Sequence, residues 1–209
     1  MDLTFRQVIE KFRDYLWTMN GMAVIGFAEI SKGTGIPSDI LMTHVSSEEK
    51  LVEKALEFER ERFEEIFRLN DFEGVNAIDA LLTVSKEIAG KFRDVSPSVT
   101  FALKKHFPVI YQSHFELRRD FVYAKIQRNM AKGISQGMYR NDLSVELVAR
   151  IYLGRLIDLH NPDYFPPEQF SFETIFEAMF DHFIRGIATP EGLAYYELQK
   201  REIIQLYFA

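Results

Sequence analysis

Residues 35–51 read GIPSDILMTHVSSEEKL. Gly35 offers a turn, because a residue without a Cβ adopts positive φ freely. Ser38 is placed to cap a short helix running to about Thr43. Ser46-Ser47-Glu48-Glu49 has the form of a capping box, in which the serine hydroxyl takes the amide of the third helical residue and Glu49 reaches back to the cap amide. Turn, short helix and capped long helix together are the punctuation of a helix-turn-helix running into a support helix. Yet the stretch has one lysine, Lys50, against Asp39, Glu48 and Glu49. It is either a DNA-reading element or a scaffold that has kept the shape alone.

The flanking sequence is helical on both sides. Upstream, Phe5, Val8, Ile9, Phe12 and Leu16 form the apolar stripe of a helix over residues 4–18, which Asn20-Gly21 ends. Phe27–Thr34 is a second short helix, with Gly26 at its N-cap. Downstream, Leu51, Ala55, Phe58, Phe63, Ile66 and Phe67 keep a 3.6-residue period to about Leu69. Further helices are expected over 74–93, from the Ser96-Pro97 cap to Phe107, from Pro108 to Ile134, from Ser144 to His160, over Phe170–Ile187, and from Thr189-Pro190 to near Ile204. Asn161–Gln169, with three prolines, is the one long loop. Turn-flanked β-branched alternation does not recur. The expected fold is all-α, with about ten helices. A three-helix unit over residues 1–46 leads into a larger helical body over 47–209, and the helix opening at Ser46 leaves no room for a flexible linker.

The 47% hydrophobic and 27% charged content is that of a globular chain. A net charge of −6 confines any nucleic-acid contact to a small patch. The absence of cysteine excludes disulfides, thiolate metal sites and cysteine nucleophiles. The opening MDLTFRQVIEKFRD lacks an apolar core of signal-peptide length, and no apolar run approaches the ~20 residues that cross a bilayer. The expected location is the cytoplasm, without a membrane partner.

Few patterns point to chemistry. His106, His114, His160 and His182 are potential metal ligands, but none has the Glu three residues before it that a di-metal four-helix site requires. Solvent-facing or core-satisfied imidazoles are the expected state. Glu57, Glu61, Glu64 and Glu65 alternate with Arg60 and Arg62, as on a solvated helix face with i,i+4 pairs. No nucleophile motif, metal-ligand spacing or phosphate-cradling glycine loop is present, so no enzyme, catalytic residue, metal or cofactor is expected.

The order of a three-helix unit and a helical body resembles the TetR family of transcriptional regulators. Gly21, Ile30, Gly35, Ile36, Leu41, His44, Ser47, Glu49 and Leu51 fall at positions matching that family's N-terminal motif without a gap. SPSVTFALKKHFP (96–108), GMYRNDLS (137–144) and FIRGIATPEGL (183–193) look like segments of one of its subgroups. The departures fall on the chemistry. The family's capping Thr of helix 2 is Gly26, its recognition-helix Thr is Ile40, its Tyr is Met42, its Phe is Val45, and its Lys opening helix 4 is Glu48. From Gly21 to Lys50, Lys32 and Lys50 face Glu29, Asp39, Glu48 and Glu49. Since phosphate neutralisation supplies most non-specific affinity, this head should hold DNA loosely.

The resemblance implies a ligand-responsive homodimeric repressor on a palindromic double-stranded operator, with no catalytic activity. It places DNA contacts at Lys32, Ser38, Asp39, Thr43, His44 and Ser47; Asp39 could accept a hydrogen bond from a cytosine amine, the alternative being that its charge repels the phosphates. It places a pocket for a small apolar or amphipathic effector in the body, for which Phe63, Phe67, Phe101, Phe121 and Tyr152 are candidates; plain core packing is the competing explanation. A four-helix dimer interface would use Ile151, Leu156, Ile175, Met179 and Phe183, unless they are buried within one chain. The rival is a helical ligand-binding or protein-interaction module that keeps this fold without sequence-specific DNA binding.

Overall fold

The computed structural model describes residues 3–18, 26–91, 97–159, 161, 163–166 and 168–208. Among them ten helices form and no strand: α1 (Phe5–Thr18), α2 (Phe27–Thr34), α3 (Ser38–His44), α4 (Glu48–Leu69), α5 (Ala77–Lys91), α6 (Pro97–His106), α7 (Pro108–Ser135), α8 (Val145–Asp158), α9 (Phe172–Ile187) and α10 (Pro190–Phe208). The fold is all-α, as the periodicity requires.

Several ends follow the expected caps. Gly35 closes α2 at φ 69°, its amide donating to the Ser31 carbonyl. Ser144 Oγ accepts from the Leu147 amide at 3.3 Å, and Thr189 Oγ1 from Gly192 at 3.0 Å. Others shift. The cap of α4 is Ser47, whose Oγ accepts from the Lys50 amide at 3.2 Å; Ser46 is exposed outside the helix. The cause is Val45, buried in an extended conformation, which delays the helix. Ser38 is the first residue of α3 and makes no cap bond; Pro37 precedes it. Helix α5 opens at Ala77, not 74, because Gly74 takes φ +74° and Asn76 Oδ1 accepts from Ile78 at 2.8 Å. Ser171 caps α9 through the Thr174 amide at 3.2 Å, so that helix begins at Phe172. The Asn20-Gly21 stop and the Ser96 cap lie outside the described residues.

The chain packs as two compact units, Met1–Glu65 with Asp94–Arg118, and Ile66–Arg93 with Arg119–Ala209. In the first, Phe12 and Leu16 of α1, Ile30 of α2, Leu41 of α3, Leu51 of α4 and Leu103 of α6 share one core. Each such side chain contributes about 1.5–3 kcal/mol by leaving water. Gly33 lets α1 and α2 close: a Cβ there would lie 2.0 Å from the Tyr15 ring.

In the second unit α9 packs on α5, α8 and α10 through an apolar face that includes Phe176, Phe180 and Ile184. Two polar ties hold its helices. Asp181 of α9 accepts from Arg185, Tyr196 and Lys200, and the Tyr195 hydroxyl of α10 donates to Asp79 of α5 at 2.6 Å. The segments 137–144 and 183–193 meet here. Tyr139 and Ala188 form an isolated antiparallel bridge, and the Thr189 hydroxyl donates to the Gly137 carbonyl at 2.8 Å. Gly192 is required at this clasp, since a Cβ would fall 2.0 Å from the Met138 carbonyl oxygen.

Candidate nucleic-acid interface

Helices α2 and α3, with the Gly35 turn between them, form the helix-turn-helix. Ile30, Ile36 and Leu41 are fully buried beneath it, which fixes the solvent-facing side of each helix. On α3 that side consists of Asp39, Met42 and Thr43, one helical turn of exposed residues. Met42 is 56% exposed. Lys32 is exposed on α2.

The polar groups around this surface are largely spent on one another. Phe27, the first residue of α2, is the junction: its amide donates to Glu48 Oε1 at 3.2 Å, and its carbonyl accepts from Ser38 Oγ at 3.3 Å. The starts of α2, α3 and α4 are thereby tied together. The tie also links two departures that look unrelated in sequence. Gly26 has no side chain with which to cap α2. Glu48 supplies the missing acceptor from another helix, and a carboxylate at a helix N-terminus is favoured by the dipole.

The remaining candidates divide in the same way. His44 Nε2 lies 3.1 Å from the Leu3 carbonyl, a hydrogen bond that requires the proton on Nε2, and its ring sits 5.9 Å from that of Phe5. It anchors the start of the chain. Thr43 donates its hydroxyl to the Ile40 carbonyl at 2.7 Å, leaving its lone pairs and methyl outward. Ser47 caps α4, and Lys50 pairs with Glu53 at 2.7 Å. Of the six expected DNA contacts, the structure leaves Lys32, Asp39 and Thr43 exposed, and ties Ser38, His44 and Ser47 into the unit.

A charged group that sequence reasoning passed over lies inside the same unit. Glu59 of α4 is only 4% exposed. Its Oε1 accepts from Trp17 Nε1 at 2.9 Å, from Arg62 at 3.4 Å and from Arg13. Its Oε2 is buried with no partner among the described residues. Helix α7 brings Arg118 near it, its guanidinium 4.9 Å over the Phe63 ring, and carries His114, whose Nδ1 is buried without a partner among the described residues. Burial, reinforced by Arg118 and Arg60, lowers the His114 pKa from 6.5 to about 4. The signal for Glu59 was present in the sequence. It falls at the helical spacing of the Leu51, Ala55, Phe63 stripe, whereas Glu57 and Glu61 do not.

The pocket candidates fall into separate clusters. Phe63 packs under Arg118 in the first unit. Phe67 and Phe121 meet edge-on at 5.3 Å in the second, with Lys125 Nζ 5.0 Å from each ring. Tyr152 is buried 4.3 Å from the Phe183 ring, and that burial raises its pKa. The Phe101 side chain lies outside those described. Among the interface candidates, Ile151 is 59% exposed one turn after exposed Leu147, and Leu156 is half-buried. Ile175 and Met179 belong to the chain's own core.

No described helix is long and apolar enough to cross a membrane. Among the described residues, no group of three or more His, Asp or Glu could hold a metal ion.

An N-terminal helix-turn-helix followed by a helical body is an arrangement shared with known structures. The chain resembles CprB from S. coelicolor, described as a TetR family protein, with TM-score 0.70, 15% identity and coverage of 95% of this chain and 98% of that one. It resembles a TetR transcription regulator from Haloarcula marismortui with TM-score 0.69 and 14% identity, covering 88% and 98% of the two chains. A putative transcriptional regulator from Saccharomonospora viridis in complex with choline gives TM-score 0.66 and 15% identity, covering 88% and 99%. No family model and no curated protein matches the sequence. The chain has the fold of the TetR-type transcriptional regulators.

Proposed function

We propose that this protein is a TetR-type transcriptional regulator, a homodimeric, ligand-responsive repressor that binds a palindromic operator in the cytoplasm. The observation that carries the proposal is the α2–Gly35–α3 element, with Ile30, Ile36 and Leu41 buried beneath it and α3 turned to solvent, in a chain with this fold. Residues 1–46 read DNA, and residues 47–209 bind the effector and dimerise. Lys32 contacts phosphate, while Asp39 and Thr43 face the major groove. Two heads related by a dimer axis would meet half-sites about one helical turn apart, or a multiple of it. Exposed Leu147 and Ile151 on α8 support a partner on that face.

The effector is a small apolar or amphipathic molecule. It acts by population shift, binding the DNA-competent and DNA-incompetent states with different affinity. The Saccharomonospora viridis relative, solved with choline, supports a small-molecule site in proteins of this shape. The test is a mobility shift with the duplex upstream of the protein's own gene at low salt. Retardation that competing specific duplex abolishes is expected. No shift at micromolar dimer would overturn the proposal in favour of a module that has kept the fold without DNA binding.

A further inference from the structure

Resting on the proposed function, we infer that Asp39 is the base-reading residue of α3, and that the half-site it selects presents an exocyclic amine, that of cytosine, beside a thymine methyl. The inference follows from which groups remain available on α3. Ser38 gives its hydroxyl proton to the Phe27 carbonyl, Thr43 gives its proton to the Ile40 carbonyl, and His44 gives its Nε2 proton to the Leu3 carbonyl. The outward turn of α3 therefore presents the Asp39 carboxylate, the Met42 thioether chain, and the Thr43 lone pairs and methyl. These are acceptors and apolar groups.

Base edges in the major groove sort cleanly against such a surface. Guanine offers N7 and O6, both acceptors, and is read by donors such as Arg or Lys. Cytosine offers the N4 amine, a donor that a carboxylate accepts. Thymine offers its C5 methyl, which Met42 and the Thr43 methyl can cover. Adenine's amine is flanked by the N7 acceptor, which suits an amide side chain better than a carboxylate.

The experiment is selection of bound sequences from a random duplex pool by the full-length protein, by Asp39→Asn and by Asp39→Arg. Wild type should enrich a half-site with cytosine at one position. Asp39→Asn should lose that preference by about tenfold and turn it toward adenine, and Asp39→Arg should turn it to guanine on the same strand. A purely structural role at the helix start would change stability and leave the consensus alone, and Asp39→Asn should leave the salt dependence of binding unchanged. An identical consensus for all three proteins overturns the inference and leaves the proposed function standing. No enrichment by any of them overturns both.

Discussion

At the starts of α2, α3 and α4 the polar groups are matched to one another, whereas α4 and α7 in the same unit keep two buried polar atoms without a partner among the described residues. Glu48 illustrates the first region: its carboxylate satisfies an amide 21 residues away, on a helix whose own cap position is glycine. Glu59 illustrates the second: one oxygen takes three donors and the other none among the described residues. Exposure is therefore a poor guide to availability. A surface group in reach of water can be spent on a neighbour at little cost. A buried carboxylate has no such freedom, so the cations around it are what allow it to remain.

Loss of the buried carboxylate should disturb the molecule most. Glu59→Ala removes the acceptor shared by Arg13, Trp17 and Arg62, and should lower unfolding free energy by about 3–5 kcal/mol, read by urea denaturation followed by circular dichroism. A loss near that of a surface substitution would mean that the cluster is wet.

Next comes pH. Folded His114 takes its proton at about 4, against 6.5 for the ordinary imidazole. The unfolded chain thus binds the proton first as pH falls. The stabilisation is complete above pH 6.5 and is lost between 6.5 and about 4. The loss should reach about 3 kcal/mol, at 1.36 kcal/mol per unit of pKa shift. Denaturation midpoints measured across that window should slope for the wild type and lie nearly flat for His114→Leu; equal slopes would refute the assignment.

The smallest effect on stability, and the one that sharpens the surface side, is at Glu48. Losing an N-terminal acceptor costs about 1 kcal/mol, and Glu48→Lys should show that loss by thermal melting. The same variant should bind operator duplex more tightly, with a salt slope steeper by about one phosphate contact. Weaker binding at unchanged slope would place the start of α4 away from the DNA.

Apolar periodicity, together with caps and turn residues, was enough to read the ten helices among the described residues. Cap positions were less legible. Ser46 and Ser47 are equivalent as text, and the choice between them rests on buried, extended Val45, a tertiary fact. The two segments GMYRNDLS and FIRGIATPEGL gave no sign of their contact, because a backbone bridge such as Tyr139–Ala188 leaves no mark on side-chain pattern. The site divided in the same way. Lys32, Asp39 and Thr43 were singled out by position, and the structure shows them exposed. Ser38 and His44 share their positions' polarity, but their partners, Phe27 and Leu3, are distant in sequence, so their hydrogen bonds could not be foreseen. Gly26 and Glu48 seemed to be two independent losses, and folding makes them a pair.

Trp17 is the only tryptophan in the chain, and its indole N–H ends on Glu59. The tryptophan emission of the protein therefore reports on one hydrogen bond between α1 and α4. Any event that draws those helices apart exposes the indole to water and moves its emission to the red. Partial unfolding of the first unit can be followed through that single indole, without a label.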